Sequence, residues 1–243
     1  MTTEFTTGQI HPIDCVKEGF ARIKDEYWLL FAISLVGALI GGISFYVLLG
    51  PMICGIFICY LKKLDGRKVV FDDLWLGFKY FGRSLLVTIL IVVPIVAYIL
   101  GIFMTMYLPL IMQAFSGNRV SEGQLWTTFF TALAVDLVIA LVMLTIHSLL
   151  IFAFPLIVDR GLSSFDAIKL SARATVKNLA GVAGLLVVNL GIAIAGELLC
   201  GFGVYLAIPI LTVTNLVAYR KVFPPPSRPS LEPPSPTAYP ELA

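Results

Sequence analysis

The sequence predicts an all-α fold, a polytopic helical membrane bundle of about six membrane segments, and three observations carry that reading. Hydrophobic residues make up 58% of the 243 positions and charged residues only 13%, whereas soluble domains are about one-quarter charged. Too few charges remain to give a compact domain a polar skin, so lipid must solvate much of its surface. The apolar residues gather into four runs, Tyr27–Leu61, Ser84–Phe115, Leu125–Val158 and Leu179–Tyr219, each longer than the ~20 residues of one crossing. Finally, sixteen of the seventeen Lys and Arg lie at one set of flanks, leaving only Arg119 in the loop SGNRVSEGQ.

Residues 1–12 are expected to be a flexible lead-in. They carry no short apolar core followed by a small-residue cleavage site, so the first run is expected to serve as an uncleaved insertion signal. Ile13, Val16, Phe20, Ile23 and Tyr27 keep three-four spacing and predict an amphipathic helix ahead of it. The first run divides at Gly41-Gly42 or at Gly50-Pro51 into a hairpin with short arms, which also suits a shallow re-entrant pair. The second and third runs are single crossings, bent at Pro94, Pro109 and Pro155 because proline forfeits a backbone hydrogen bond. As one helix the last run would reach roughly 60 Å, twice the hydrocarbon thickness, so it folds back at Gly201-Phe202-Gly203.

With hairpins in the first and last runs, sixteen cations face one side and one the other. Cytoplasmic loops collect Lys and Arg, so this arrangement puts both termini in the cytoplasm and the Arg119 loop outside. The helical transmembrane domain covers residues 13–222. The tail at 223–243, which holds eight of the fourteen prolines, reads as a disordered Pro-rich cytoplasmic extension.

Two stretches interrupt the hydrocarbon. In RGLSSFDAIKLSARATVKN, residues 160–178, Ser163 and Asp166 form a capping-box-like start. Phe165, Ile168, Ala172 and Val176 then make an apolar stripe, with Lys169, Arg173 and Lys177 as a basic ridge beside it. Such a helix lies in the cytoplasmic interface with its cations on anionic headgroups. GRKVVFDDLWLGFKYFGRS, residues 66–84, repeats the plan: Asp72 and Asp73 first, Phe71, Leu74 and Phe78 inward, Lys79 and Arg83 last, an order that suits the helix dipole. Shifted by 94 positions the two align, Asp65 on Asp159, Phe71 on Phe165, Asp72 on Asp166, Lys79 on Arg173 and Arg83 on Lys177. This predicts a diverged internal repeat of membrane helix, interfacial helix and membrane helix.

GPMICGIFICYLKKLDGRKVVFDDLWLGFKYFG, SSFDAIKLSARATVKN and the closing CGFGVYLAIPILTVTNLVAYRKV together resemble a group of uncharacterised bacterial membrane-protein families. That group is similar to the membrane domain attached to some glycerophosphodiester phosphodiesterases. The resemblance spans roughly residues 13–222 and implies the fold and a bacterial inner membrane. Its motifs are signatures of topology and include no catalytic residue.

Candidate functional residues are few. Asp136 and Glu197 are the acids inside the apolar runs, and intramembrane charge usually faces a bundle interior or water. His147 follows Asp136 by three helical turns, and Asn189 shares a face with Glu197. These four are expected either to line a polar pathway between the fourth and fifth helices, or to serve separately as interfacial groups and interhelical hydrogen bonds. Cys15, Cys54, Cys59 and Cys200 form no Cys-x-x-Cys pair and read as packing residues. Gly37 and Gly41 make a small-residue step for close helix approach. No spacing suits a metal, a phosphate loop or a nucleophile elbow, so neither cofactor nor enzymatic activity is expected.

The leading expectation is a non-enzymatic scaffold or accessory protein that engages anionic phospholipid through Lys79, Arg83, Lys169, Arg173 and Lys177. A second copy of the chain or another membrane protein is a possible partner; nucleic acid is not. The alternative is a small transporter or channel using the Asp136, His147, Asn189 and Glu197 face.

Overall fold

In the computed structural model, residues 5–115, 121–198 and 203–225 are described, and among them helix is the sole regular structure. The order is α1 (Pro12–Ile23), a 3₁₀ turn (Lys24–Glu26), α2 (Tyr27–Ile43), α3 (Leu49–Leu64) and a 3₁₀ segment (Phe71–Tyr80). Then follow α4 (Phe81–Ile102), a π turn (Phe103–Tyr107), α5 (Leu108–Phe115), α6 (Glu122–Leu149), α7 (Ala153–Arg160), α8 (Ser164–Lys177), α9 (Leu179–Glu197) and α10 (Gly203–Val222). Among the described residues, five stretches are long and apolar enough to cross a membrane: Pro12–Ile43, Phe71–Gln113, Glu122–Arg160, Leu179–Glu197 and Gly203–Val222. This is the helix inventory of a membrane protein. At 16 residues, or ~24 Å, α3 is shorter than any of them.

The first run does fold back, but at neither expected point. Its turn, residues 44–48, lies between the two glycine sites, where Phe45 and Tyr46 adopt positive φ angles of 50° and 66°. The Ser44 hydroxyl holds the turn, donating to the Gly41 carbonyl (2.9 Å) and accepting from the Leu48 N–H (3.0 Å). Gly37 and Gly41 face α3 instead, at Ile56 and Leu49, so the small-residue step is spent inside the hairpin. The expected turn after Glu197 falls largely at 199–202, outside the described residues, as do Cys200 and Arg119; α9 and α10 on either side pack together.

Proline acts through its neighbours. Its ring collides with the carbonyl four residues back. Ahead of Pro109 the helix widens into the π turn, where the Leu108 N–H reaches the Phe103 carbonyl. Ahead of Pro155 the helix breaks outright between α6 and α7. Ser171 of α8 fills that break, donating to the Leu149 carbonyl (2.7 Å) and accepting from the Phe152 N–H (3.1 Å). Thr175 adds a bond to the Ser148 carbonyl (3.2 Å). Orphaned backbone groups in an apolar setting are expensive, so α8 is anchored where α6 fails.

The 66–84 stretch departs from expectation in helix type. Residues 71–80 form a 3₁₀ segment, whose repeat of three puts Trp75 and Phe78 on one side. Both are exposed and their rings stack at 6.2 Å, so Phe78 points outward rather than inward. Leu74 and Gly77 are buried against α3. Asp73, not Asp72, caps this segment, accepting from the Val70 N–H at 3.1 Å. In α8, by contrast, Ser163 and Asp166 cap as expected (Asp166 N–H to Ser163 Oγ, 3.2 Å).

The core includes the fully buried Tyr60, Phe152, Tyr219 and Phe223. The chain is packed on both sides of the expected 13–222 domain. Phe5 lies against Phe223 (6.1 Å), and the Thr6 N–H donates to the Val222 carbonyl (2.9 Å). The Gly8 N–H donates to Asn178 Oδ1 (2.9 Å), while Asn178 Nδ2 returns a bond to the Thr6 carbonyl (3.2 Å). Residues 5–11 therefore lie along the ends of α10 and α8, and both described chain ends occupy the same end of the bundle. By contrast Ala132 is the one fully buried residue of α6, and many of its apolar side chains, Leu137, Val138 and Leu141 among them, are exposed.

Among the described glycines, the closest approach joins α3 to the 3₁₀ segment. A Cβ on Gly55 would overlap the Leu74 carbonyl oxygen, and one on Gly77 the Pro51 carbonyl oxygen. Both obstacles are backbone and cannot rotate away. Gly77→Ala is expected to destabilise the protein by about 1–3 kcal/mol, the usual cost of overpacking. Thermal melting in detergent checks this, with Gly82→Ala, which meets open space, as the neutral control.

Candidate functional site

Charge is scarce in this chain, and much of it converges on Arg220 in the last turn of α10. The guanidinium donates to Asp159 Oδ2 of α7 at 2.8 Å and to both oxygens of Asp65, the C-cap of α3, at 3.0 and 3.2 Å. The Tyr219 hydroxyl adds a second donor to Asp159 Oδ2 at 2.8 Å, and Arg67 a second cation to Asp65 at 2.9 Å. The Arg220 side chain is only 14% exposed and that of Asp159 16%, so this network is largely withdrawn from water. Its two carboxylates are the pair related by the 94-residue shift.

A second ion pair sits beside it. Lys62 Nζ lies 2.5 Å from Asp73 Oδ1. The Asp73 carboxylate is thereby shared between the Lys62 ammonium and the Val70 N–H (3.1 Å).

The five expected lipid-contact cations divide into two groups. Lys79, Lys169, Arg173 and Lys177 are exposed and make no ion pair among the described residues. Arg83 has a structural duty: its Nη1 donates to the Gly161 carbonyl at 3.1 Å, while its own carbonyl accepts from Ser164 Oγ at 2.6 Å. On α8 the burial pattern resolves three faces. Ala167, Leu170, Ser171, Ala174 and Thr175 are buried in the bundle. Phe165 and Val176 turn away from it, 68% and 61% exposed, with the basic ridge between those two faces.

The four residues expected along one polar pathway lie on two separately packed helices. α6, carrying Asp136 and His147, packs on α4, the π turn and α8; α9, carrying Asn189 and Glu197, packs on α10, α1 and α8. His147 Nδ1 is bound to its own helix at the Met143 carbonyl (2.7 Å), and Asn189 Nδ2 donates to Asn215 Oδ1 of α10 at 2.8 Å. Glu197 is exposed. Asp136 Oδ1 is buried with no hydrogen-bond partner. Cys15, Cys54 and Cys59 are buried free thiols. No group of three or more His, Cys, Asp or Glu suited to a metal occurs among the described residues.

Asn215 escaped the sequence reading although it was the other uncharged amide in the last apolar run. Arg220 is one of the sixteen cations flanking the apolar runs, but no spacing in the sequence pairs it with acids 155 and 61 residues away. Comparison with protein-family models, curated proteins and solved structures finds no match to this chain.

Arg220→Gln leaves two partly buried carboxylates facing each other and is expected to cost up to about 3 kcal/mol. Adding Asp159→Asn should recover part of that loss, because the uncompensated charge disappears. Melting of the single and double variants in detergent measures both effects.

Proposed function

We propose that this chain is a non-enzymatic, lipid-engaging scaffold or accessory protein of a bacterial inner membrane, built from six membrane segments with both termini in the cytoplasm. The observation that carries the reading is α8. Its cations make no ion pair among the described residues, its small-residue face is buried in protein, and its bulky apolar face points away from the bundle. A helix with that division of faces is suited to lie in a headgroup layer. The tryptophans support the same placement. Trp28 opens α2, Trp75 sits in the 3₁₀ segment, Trp126 stands near the start of α6, and all are at least 43% exposed. Helix ends rimmed with exposed indole suit a membrane–water interface.

The six-segment reading takes α3 as a short crossing paired with α2. Each inner-face helix then sits beside a membrane helix: the 3₁₀ segment on α3, α8 on α7, and α1 on α10. Membrane helix, inner helix and membrane helix recur as α3 through α4 and as α7 through α9, with Asp65 and Asp159 in equivalent places. The resemblance to the membrane domain of glycerophosphodiester phosphodiesterases fits this plan and transfers no chemistry.

Each cation near an anionic surface contributes about 1 kcal/mol, screened beyond roughly 8–10 Å at physiological salt. Lys169→Gln, Arg173→Gln and Lys177→Gln in combination are therefore expected to strip most copurified anionic phospholipid at low salt, with less difference from wild type at high salt. Lipid analysis by mass spectrometry after mild extraction tests this, and unchanged retention would leave the cations a topological role only.

A second reading, a small transporter or channel, draws on the unpartnered Asp136 oxygen. Ile139, one turn along α6, meets Gly101 just ahead of the π turn, so Asp136 lies at the level where α4 widens. Such turns recur at functional sites. The scaffold reading expects no proton flux above protein-free vesicles in proteoliposomes holding a pH-sensitive dye. Flux present in wild type and lost in Asp136→Asn would establish the transporter instead.

A further inference from the structure

A cavity of about 250 Å³ opens between the inner end of α3, the 3₁₀ segment and the end of α7. Its walls divide by chemistry. Lys62, Arg67 and Lys79 supply three cations, and Ile58, Leu61, Leu76 and Val158 supply aliphatic surface. The carboxylate that reaches it, Asp159, is already held by Arg220 and Tyr219. Asp73 neutralises Lys62, and the carboxylate of Asp65 is shared between Arg67 and Arg220. Lys79 has no anionic partner among the described residues. The cavity is therefore an unbalanced basic pocket at the inner end of the bundle, next to apolar side chains.

The geometry points to a binding site for a phosphate group, with Lys79 and Arg67 as its principal donors. This deepens the proposed lipid engagement and rests on it. Arg67 offers a planar fork suited to two phosphate oxygens, and Lys79 a mobile point charge. Basic pockets between membrane helices at the cytoplasmic face commonly take lipid headgroups, and the aliphatic wall suits the glycerol root of a lipid. Phosphate chemistry is shared with free inorganic phosphate, so the two sources must be separated by experiment. The site is distinct from the α8 ridge, which offers a charged surface without a cavity.

Purified full-length protein in a neutral detergent would be titrated with dihexanoyl phosphatidate, dihexanoyl phosphatidylcholine and inorganic phosphate. Fluorescence is the readout, since Trp75 lies next to the pocket residue Leu76. Saturable binding of phosphatidate at one per chain is expected, with phosphatidylcholine weaker. Arg67→Gln with Lys79→Gln should weaken it at least about tenfold, the scale of losing one charge-assisted hydrogen bond. Both side chains are exposed, and the Arg67–Asp65 pair given up is a surface one that contributes little to stability, so the variant should melt close to wild type, and Lys79→Arg should keep most of the affinity. Failure of millimolar inorganic phosphate to compete identifies the lipid as ligand; competition at matching concentrations identifies free phosphate. Either result supports the pocket. Absence of saturable binding to any of the three, or binding unchanged in the double variant, overturns it. The Lys169, Arg173 and Lys177 triple variant should keep pocket binding while losing bulk anionic lipid. A failed pocket with an intact α8 effect would therefore leave the scaffold reading standing.

Discussion

One guanidinium holds one end of this bundle together. Arg220 stands near the end of α10 and bonds both the α3 cap Asp65 and the α7 carboxylate Asp159, joining three helices that approach from distant parts of the chain. In water such contacts are weak, but here the side chains are mostly withdrawn from solvent, and an unpaired carboxylate would be costly. Around this node the aromatic side chains of Tyr60, Phe152, Tyr219 and Phe223 close the core. The N-terminal residues then seal against the end of α10 through backbone hydrogen bonds.

The same economy governs the backbone. Proline at 109 and 155 interrupts two long helices, and each interruption is answered differently: a π turn before Pro109 and a full break before Pro155, filled by hydroxyls of α8. A Ser-and-Thr-bearing helix is thus fastened to the bundle at the place where the membrane helix cannot bond itself. Fastening it by that face leaves Phe165, Val176 and the basic ridge turned outward. The position of the cations, on which the proposed lipid engagement rests, follows from where a proline forbids a hydrogen bond.

Close packing makes a parallel demand on the 3₁₀ segment. Gly55 and Gly77 let the backbone of the 3₁₀ segment rest directly on α3, and that contact places Leu76 and Lys79 beside Lys62 and Arg67 at the pocket. Structural contacts and candidate binding groups therefore occupy adjacent positions, because a chain with so few polar residues uses them near one another at one end.

The sequence by itself determined that the protein is helical and apolar enough for a membrane, since hydrophobic content and run length are properties of composition. It determined the start of α8, whose Ser163 and Asp166 act within a single turn, and the division of the last run into two helices by its length. What it could not determine was anything set by distant partners. The first turn formed at Ser44–Leu48 rather than at glycine, because Ser44 bonds both sides of it. Phe78 turned outward because close backbone approach imposed a 3₁₀ repeat on residues whose pattern also fits an α-helix. Asn189 met Asn215, apart from Asp136 and His147, because α9 packs on α10 while α6 packs on α4. Arg220 found two acids far away in the chain, and only the tertiary structure brings them within hydrogen-bonding distance. Local rules act over three or four residues; the pairing of charges in an apolar bundle is decided by which helices lie side by side.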